Sequence, residues 1–304
     1  MKFGAVLLAL AGGHGAQAAT VDIGFEYTGT IVSWIVPETT TYRITAVGAQ
    51  GAAGDSRYEG GRGALIAGSF DLLQGDVFMI AVGGAGVASS PDVNAGNGGG
   101  GGGTFFVAAA GDAPMLIAGG GGGTRADVNQ NGTDASIAEA AYTASGYTAS
   151  YTPMLKTTGI GQGGVVSSFS WGSAGAGFYT DGQGEYGSDN GGKSWSNGLV
   201  GGAGLGCAAP APGGFGGGGA GNGCWGGGGG GGYSGGDGGR VAGGGGSFNA
   251  GYDMFALAGV GYGNGSLKIS YDPGLIAPVP VPASFPLLIG GVAGLFVMKR
   301  RAKG

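Results

Sequence analysis

One segment of the chain carries the spacing of a phosphate-binding loop. Residues 187–194 read GSDNGGKS and fit the pattern GxxxxGK[ST], in which Lys193 and Ser194 would contact the phosphates and magnesium. Such a loop follows a strand and opens a helix, because the helix N-terminus helps to bind the anion. Here Trp195 and further glycines follow, and a chain with 82 glycines in 304 residues produces this pattern by chance. We therefore predict no nucleotide cofactor.

Three acidic residues in the same region could bind calcium. Asp181, Glu185 and Asp189 recur every four residues, and carboxylates together with loop carbonyls are the ligands that calcium prefers. Their spacing is not that of an EF-hand loop. A solvated acidic loop is the preferred interpretation, and we predict no metal site.

The only histidine, His14, lies in an N-terminal leader. Residues 1–18 combine one lysine, an apolar run and the small-residue motif AQA at 16–18, which is typical of a secretory signal peptide cleaved between Ala18 and Ala19. A buried first helix is the alternative. Cleavage would leave no histidine, which argues against His-based acid–base catalysis, Ser-His triads and the usual catalytic zinc sites. We predict no catalytic residues and no enzyme activity.

The C-terminus has three successive parts. A proline-containing motif is followed by the apolar residues 285–298 and then by a basic cluster. Fourteen residues are short for a stable span, which needs about 20, and the basic cluster would stay cytoplasmic. The motif consists of Val279, Pro280, Val281, Pro282 and Ala283, and the basic cluster of Lys299, Arg300 and Arg301.

This tail resembles the bacterial sorting signals called PEP-CTERM and VPLPA-CTERM, although Val281 stands where the second form has leucine. The resemblance implies recognition by an exosortase-type transpeptidase, removal of the tail and display at the cell surface. A plain C-terminal membrane anchor is the alternative. Both interpretations place the body of the protein outside the cytoplasm and bring it to the membrane through the tail.

The charge of the body argues against a nucleic-acid partner. Five of the 13 basic residues lie in the leader and the tail, so eight basic residues face 18 acidic ones in between. A body this acidic repels phosphate backbones.

Short apolar runs separated by turn residues predict an all-β fold, a β-sandwich. The run at 77–82 is apolar on both faces, which predicts a buried central strand. The runs at 104–107 and 115–118 should pair across the turn at 110–113. Only 135–144 has weak helical periodicity. The other predicted strands are 25–28, 30–37, 42–47, 64–70 and 266–271.

The segment 201–246 is mostly glycine and is either a flexible linker or an unusual ordered structure. The chain has 42% hydrophobic and 10% aromatic residues, enough for a core and unlike a disordered chain. Polyproline II strands of glycine would leave every N–H and C=O free to bond to neighbouring strands. We therefore predict side-by-side glycine helices, a hypothesis that mobility at 226–232 would contradict.

Residues 213–236, GGFGGGGAGNGCWGGGGGGGYSGG, resemble the glycine-rich domain of the anaplastic lymphoma kinase and leukocyte tyrosine kinase receptors, as do 98–107 and 116–123. The similarity covers roughly 23–272. It implies a TNF-like β-sandwich that carries an inserted bundle of polyglycine II helices and binds protein ligands. This chain has no kinase domain, and the receptors' ligand-binding residues have no matching positions here.

The cysteines fit this resemblance. Cys207 and Cys224 are the only two in the chain, and two cysteines of an exported protein usually pair. Such a disulfide would contribute about 3 kcal/mol on the chain-entropy model. Two free buried thiols are the alternative.

Tryptophan side chains could stack on sugars, or they could serve as core aromatics, which is the preferred interpretation. They are Trp34, Trp171, Trp195 and Trp225.

The expected function is that of an exported structural or adhesive protein at the cell surface, associated with an extracellular matrix and its exopolysaccharide. A receptor-like module for a protein or glycan ligand is the alternative. The predicted organisation is a signal peptide at 1–18, sandwich strands at 19–118, a glycine-rich insertion at 119–250, a closing strand region at 251–272 and the sorting tail at 273–304.

Overall fold

The described residues of the chain form two antiparallel sheets of five strands each. The computed structural model describes residues 20–89, 96–126, 128, 130–145, 151–167, 172–204, 210–221 and 226–273. Sheet 1 has the spatial order β1 (Val21–Glu26), β10 (Ser266–Tyr271), β3 (Thr40–Val47), β4 (Gly63–Leu72), β9 (Tyr252–Gly261). Sheet 2 has the order β2 (Ile31–Ile35), β5 (Val77–Ala81), β6 (Thr104–Ala108), β7 (Ala113–Ala118), β8 (Phe248–Asn249). The all-β prediction is confirmed.

Alternating side chains determine which face of sheet 1 is buried. In β3, Tyr42, Ile44 and Ala46 are fully buried, whereas Thr41 and Arg43 lie on the opposite face. Successive residues of a strand point to opposite faces, so this pattern gives one apolar and one polar face.

Sheet 2 is buried on both faces at its centre. In β5, Phe78 and Ile80 face the core between the sheets, while Met79 and Ala81 face a second apolar cluster. The prediction of a buried central strand is therefore confirmed. The neighbouring strands β6 and β7 pair across 110–113 as predicted.

The two sheets share one core. It brings Ile44 and Ile269 of sheet 1 together with Phe106 and Leu116 of sheet 2. The rings of Phe78 and Phe106 stack with centroids 4.4 Å apart. Each such side chain stabilises the fold by about 1.5–3 kcal/mol through burial.

A second cluster covers the other face of sheet 2. Phe178, Trp195 and Leu199, from the long connection between β7 and β8, pack against Phe105 and Ile117. The Trp195 ring lies 6.0 Å from that of Phe105. The glycine-rich connection is therefore attached to sheet 2 by large side chains placed between its glycine runs.

The glycine runs themselves are buried and hydrogen-bonded to each other. Along 227–232, N–H groups three residues apart donate to the same neighbouring segment. Gly228 and Gly231 bond to the carbonyls of Gly98 and Gly101, both at 2.9 Å. A repeat of three residues is the period of the polyproline II helix.

The other N–H groups of this run follow the same rule. Those of 229 and 232 bond to the segment 172–178, and those of 227 and 230 to the segment 239–243. Carbonyls of 228 and 231 accept from 123 and 120. A single run thus bonds to neighbours on several sides, whereas a β-strand bonds on two.

Some positions of this network have no room for a Cβ atom. A Cβ added to Gly228 would lie 1.9 Å from the carbonyl oxygen of Gly219, and one added to Gly100 would lie 2.0 Å from that of Gly229. Both contacts are with rigid backbone, so glycine is required at these positions for space.

Some features of the fold differ from the sequence predictions. Residues 135–144 form bends and a bridge without a helix. The strands β8 and β9 were not predicted, because the glycines of β9 and its exposure on both faces conceal the alternation. Segments 49–52 and 98–103 also belong to the glycine network, in addition to the predicted 119–250.

Candidate functional site

The phosphate-loop pattern lies in a connection built from turns. Two three-residue 3-10 helices, Glu185–Gly187 and Trp195–Asn197, flank it, and residues 172–204 contain no strand before it and no longer helix after it. The Lys193 ammonium contacts the carboxylates of Asp189 and Asp181, the latter at 3.3 Å. Both carboxylates raise the pKa of Lys193, the Asp189 hydrogen bond most strongly.

Asp181 supports this connection from within. Its Oδ1 accepts hydrogen bonds from the Ser194 N–H and the Asn197 amide, each at 2.8 Å. Burial alone would raise its pKa, but these donors and Lys193 outweigh burial and hold the pKa below its ordinary value. Asp181 therefore acts as a structural acceptor for the loop.

The three acidic side chains considered for calcium do not form one group, and two of them, Asp181 and Asp189, contact the Lys193 ammonium. Asp181 is bonded within its own loop, the Glu185 residue is buried, and the Asp189 side chain is 91% exposed. Among the described residues, no three His, Cys, Asp or Glu side chains are grouped closely enough to hold a metal ion.

Two of the four tryptophans are core residues. Trp34 packs against Tyr42 and Phe106 between the sheets, and Trp195 is buried in the second cluster, where its Nε1–H donates to Asp112 at 3.1 Å. Trp195 is buried and Trp34 is partly buried against the core, so the core interpretation is confirmed for these two.

Several predicted sites lie outside the described residues. They are Trp171 and Trp225, the cysteines Cys207 and Cys224, the cleavage position Ala18–Ala19, the sorting motif at 279–283 and the basic cluster at 299–301. In the part of the chain that is described, no helix has the length and apolarity that crossing a membrane requires.

The most unusual surface of the described protein is the strand β9, which forms one edge of sheet 1. Among the described strands, its one ladder partner is β4. Met254, Phe255 and Leu257 are exposed by 65, 50 and 46%. Val260 and Tyr262 continue the exposed apolar surface. Natural edge strands usually carry lysine, proline or inward-pointing charge that prevents pairing with other chains.

Irregularities delimit the regular part of this strand. The register with β4 shifts between Ala67 and Ser69 and again between Gly63 and Leu65. The residues that bulge include Asp253 and Gly259, which have φ angles of 48° and 68°. Residues 254–258 lie between them, and we call these five residues the β9 edge.

Two grooves open beside the β9 edge. One, of about 290 Å³, is lined by Ile66, Ile137, Phe248 and Met254 among others. The second, of about 390 Å³, is lined by residues 130–135, Tyr142, Pro153 and Ala258. This surface was not predicted from the sequence. The signal that could have found it is the uncharged run 254–262, which is apolar apart from its glycines.

The comparisons with known proteins add no relative. No protein-family model matches the chain, and no curated protein matches it significantly.

Proposed function

We propose that the chain is an exported, non-enzymatic structural or adhesive protein of the bacterial cell surface, built as a TNF-like β-sandwich with an inserted polyglycine II bundle. The observation that carries the proposal is the three-residue repeat of hydrogen bonds along 227–232. A network of backbone bonds on several sides is rigid, because every strand is fixed by its neighbours. Rigidity of this kind suits a spacer or scaffold.

The two ends support the location. The leader at 1–18 directs export, and the tail at 279–301 brings the body to the membrane for processing by an exosortase-type enzyme. The acidic body then contacts the extracellular matrix.

Surface display is tested by protease treatment of intact host cells that carry a tag after Gly75, where an added side chain meets no atom within 4 Å. We expect the tag to be removed from intact cells, and a precursor to accumulate when Ala16 and Ala18 are both changed to arginine. A tag that is cleaved only after lysis would contradict surface display.

Adhesion is tested by co-sedimentation of the protein with the host's exopolysaccharide. Co-sedimentation that resists washing supports a matrix role. If the protein is absent from the pellet, the matrix role is contradicted, whereas surface display is decided by the protease experiment alone.

The exposed aromatic rings favour a second candidate, a binding module for a glycan or protein ligand. Tyr252, Phe255 and Tyr262 are exposed on one strand and its continuation, and such rings stack on sugars. Tyr262→Ala would then abolish co-sedimentation, whereas the control Ile35→Ala, on an exposed residue of sheet 2, would not. Equal co-sedimentation of both variants would contradict this candidate.

A further inference from the structure

The β9 edge has a row of exposed backbone groups that another strand could pair with. The Gly48 N–H donates to the Ala64 carbonyl at 2.9 Å, just beyond the paired residues of β3 and β4. Because hydrogen-bonding sides alternate along a strand, Leu65 and Ala67 must then bond towards β9. Their partners are Leu257 and Phe255.

The backbone groups of the intervening residues therefore point away from the sheet. These residues are Met254, Ala256 and Ala258, and within the described chain none of their N–H or C=O groups has a hydrogen-bond partner outside the sheet. Residues 134–139 line the flanking grooves but bond to other segments. The edge is open to an incoming strand.

We propose that this edge binds a second copy of the same chain, β9 against β9 and antiparallel, with a twofold axis at Ala256. The sheets 1 of two copies then join into one sheet of ten strands. The outward backbone groups of each copy bond to those of the other, and the interface is isologous.

The side chains are self-complementary in this register. Residue 255 lies opposite residue 257 of the second copy, so Phe255 packs on Leu257 twice, and aromatic–aliphatic pairs of this kind stabilise antiparallel strands. Met254 lies opposite Ala258, a large residue opposite a small one, next to the groove at 130–135. At the axis, Ala256 meets Ala256, which permits close approach.

The edge itself brings no charges together. The chain has a net charge of −5, so long-range repulsion opposes self-association, and a neutral contact adds no local repulsion to it. Residues 254–262 carry no charge. A glycan would stack on the rings but would leave the row of backbone groups without regular partners, which is why we favour a strand.

The test uses the full chain in one detergent for all variants and measures mass by sedimentation. We expect a dimer for the wild type. Leu257→Glu should weaken dimerisation at least about tenfold, because each carboxylate is buried against Phe255 of the other copy. Ile35→Glu, on an exposed residue of β2, adds the same charge away from β9, so it is the matched control and should leave the dimer intact.

A double variant tests the register. Phe255→Lys alone should also weaken the dimer. In the double variant Phe255→Lys/Leu257→Glu, each lysine faces a glutamate of the other copy, so the dimer should be restored in low salt. A thermal unfolding profile like that of the wild type shows that each variant folds.

Three results would overturn the proposal. One is a wild-type chain that stays monomeric at its highest soluble concentration. Another is a dimer that Leu257→Glu does not affect, which would place the interface elsewhere. The third is a monomer that binds a glycan or another protein through Phe255, which would assign the edge to that ligand.

Discussion

The core between the two sheets and the glycine network are both buried, but the space in them is filled by opposite means. Between the sheets, large side chains such as Phe106 and Ile269 fill the space. In the glycine network, the backbone itself fills it, and a Cβ at Gly228 would lie 1.9 Å from a neighbouring oxygen. The core between the sheets should therefore be destabilised by removing atoms, and the glycine network by adding them.

The largest expected effect is that of adding one methyl group to the network. Gly228→Ala should destabilise the fold by more than about 4 kcal/mol, because the new Cβ meets the backbone of Gly219 and cannot displace it cheaply. Thermal unfolding measures the change.

The control for this prediction is Gly24→Ala. A Cβ at Gly24 meets nothing within 4 Å and its φ is not positive, so this variant should be neutral or slightly more stable, by up to about 1 kcal/mol. Equal stability of the two alanine variants would contradict the packing argument.

Removing atoms from the core is the complementary experiment. Phe106→Ala should cost about 3–5 kcal/mol, since Phe106 is fully buried and stacks on Phe78. Chemical denaturation measures the cost, and Phe106→Leu should recover most of it. If Phe106→Leu were as damaging as Gly228→Ala, the contrast between the core and the glycine network would be lost.

The contact between sheet 2 and the glycine-rich connection should show an intermediate effect. Trp195→Phe keeps most of the ring in the second cluster but removes the N–H that donates to Asp112. We expect a loss of about 1–2 kcal/mol in the free energy of unfolding. Asp112→Asn retains an acceptor oxygen and should cost less, and the opposite order would contradict the role of this hydrogen bond.

The smallest expected effect concerns pH. The pKa of Asp181 is lower in the folded protein than its ordinary value, so its stabilising contribution is complete above that ordinary value and is lost as the pH falls through the folded pKa. Asp181→Asn should therefore lower the free energy of unfolding by about 1 kcal/mol at neutral pH.

In acid, the stabilities of Asp181→Asn and the wild type should converge below about pH 4. The matched control is Asp189→Asn, whose side chain is almost fully exposed, and its effect should be within about 0.5 kcal/mol at any pH. If the free energies of unfolding of Asp181→Asn and the wild type differ by the same amount at every pH, the charge of Asp181 does not contribute to stability.

The presence or absence of side chains also determines which features of the fold can be predicted from the sequence. Alternation in β3, with Tyr42 and Ile44 on one side, predicts a half-buried strand because side chains carry the information. The glycine runs predict ordered glycine helices that lie side by side. They do not identify partners, because a run such as 227–232 has no side chains that distinguish 98–101 from 172–178.

The β9 edge was missed for a related reason. Its apolar residues face solvent on both sides, so neither alternation nor burial separates them from a loop, and Gly259 interrupts the pattern. If β9 pairs with a second copy, as we propose, its apolar residues are buried only in the dimer, and a single chain contains no partner strand that would indicate this.

The most direct test of the account is amide hydrogen exchange in the glycine network. If backbone bonds on several sides hold 227–232 and 98–103, their amides should be protected as strongly as those of β3 and β4 and should exchange only on global unfolding. Exchange of these glycines at the rate of an unstructured peptide, while β3 stays protected, would contradict the account.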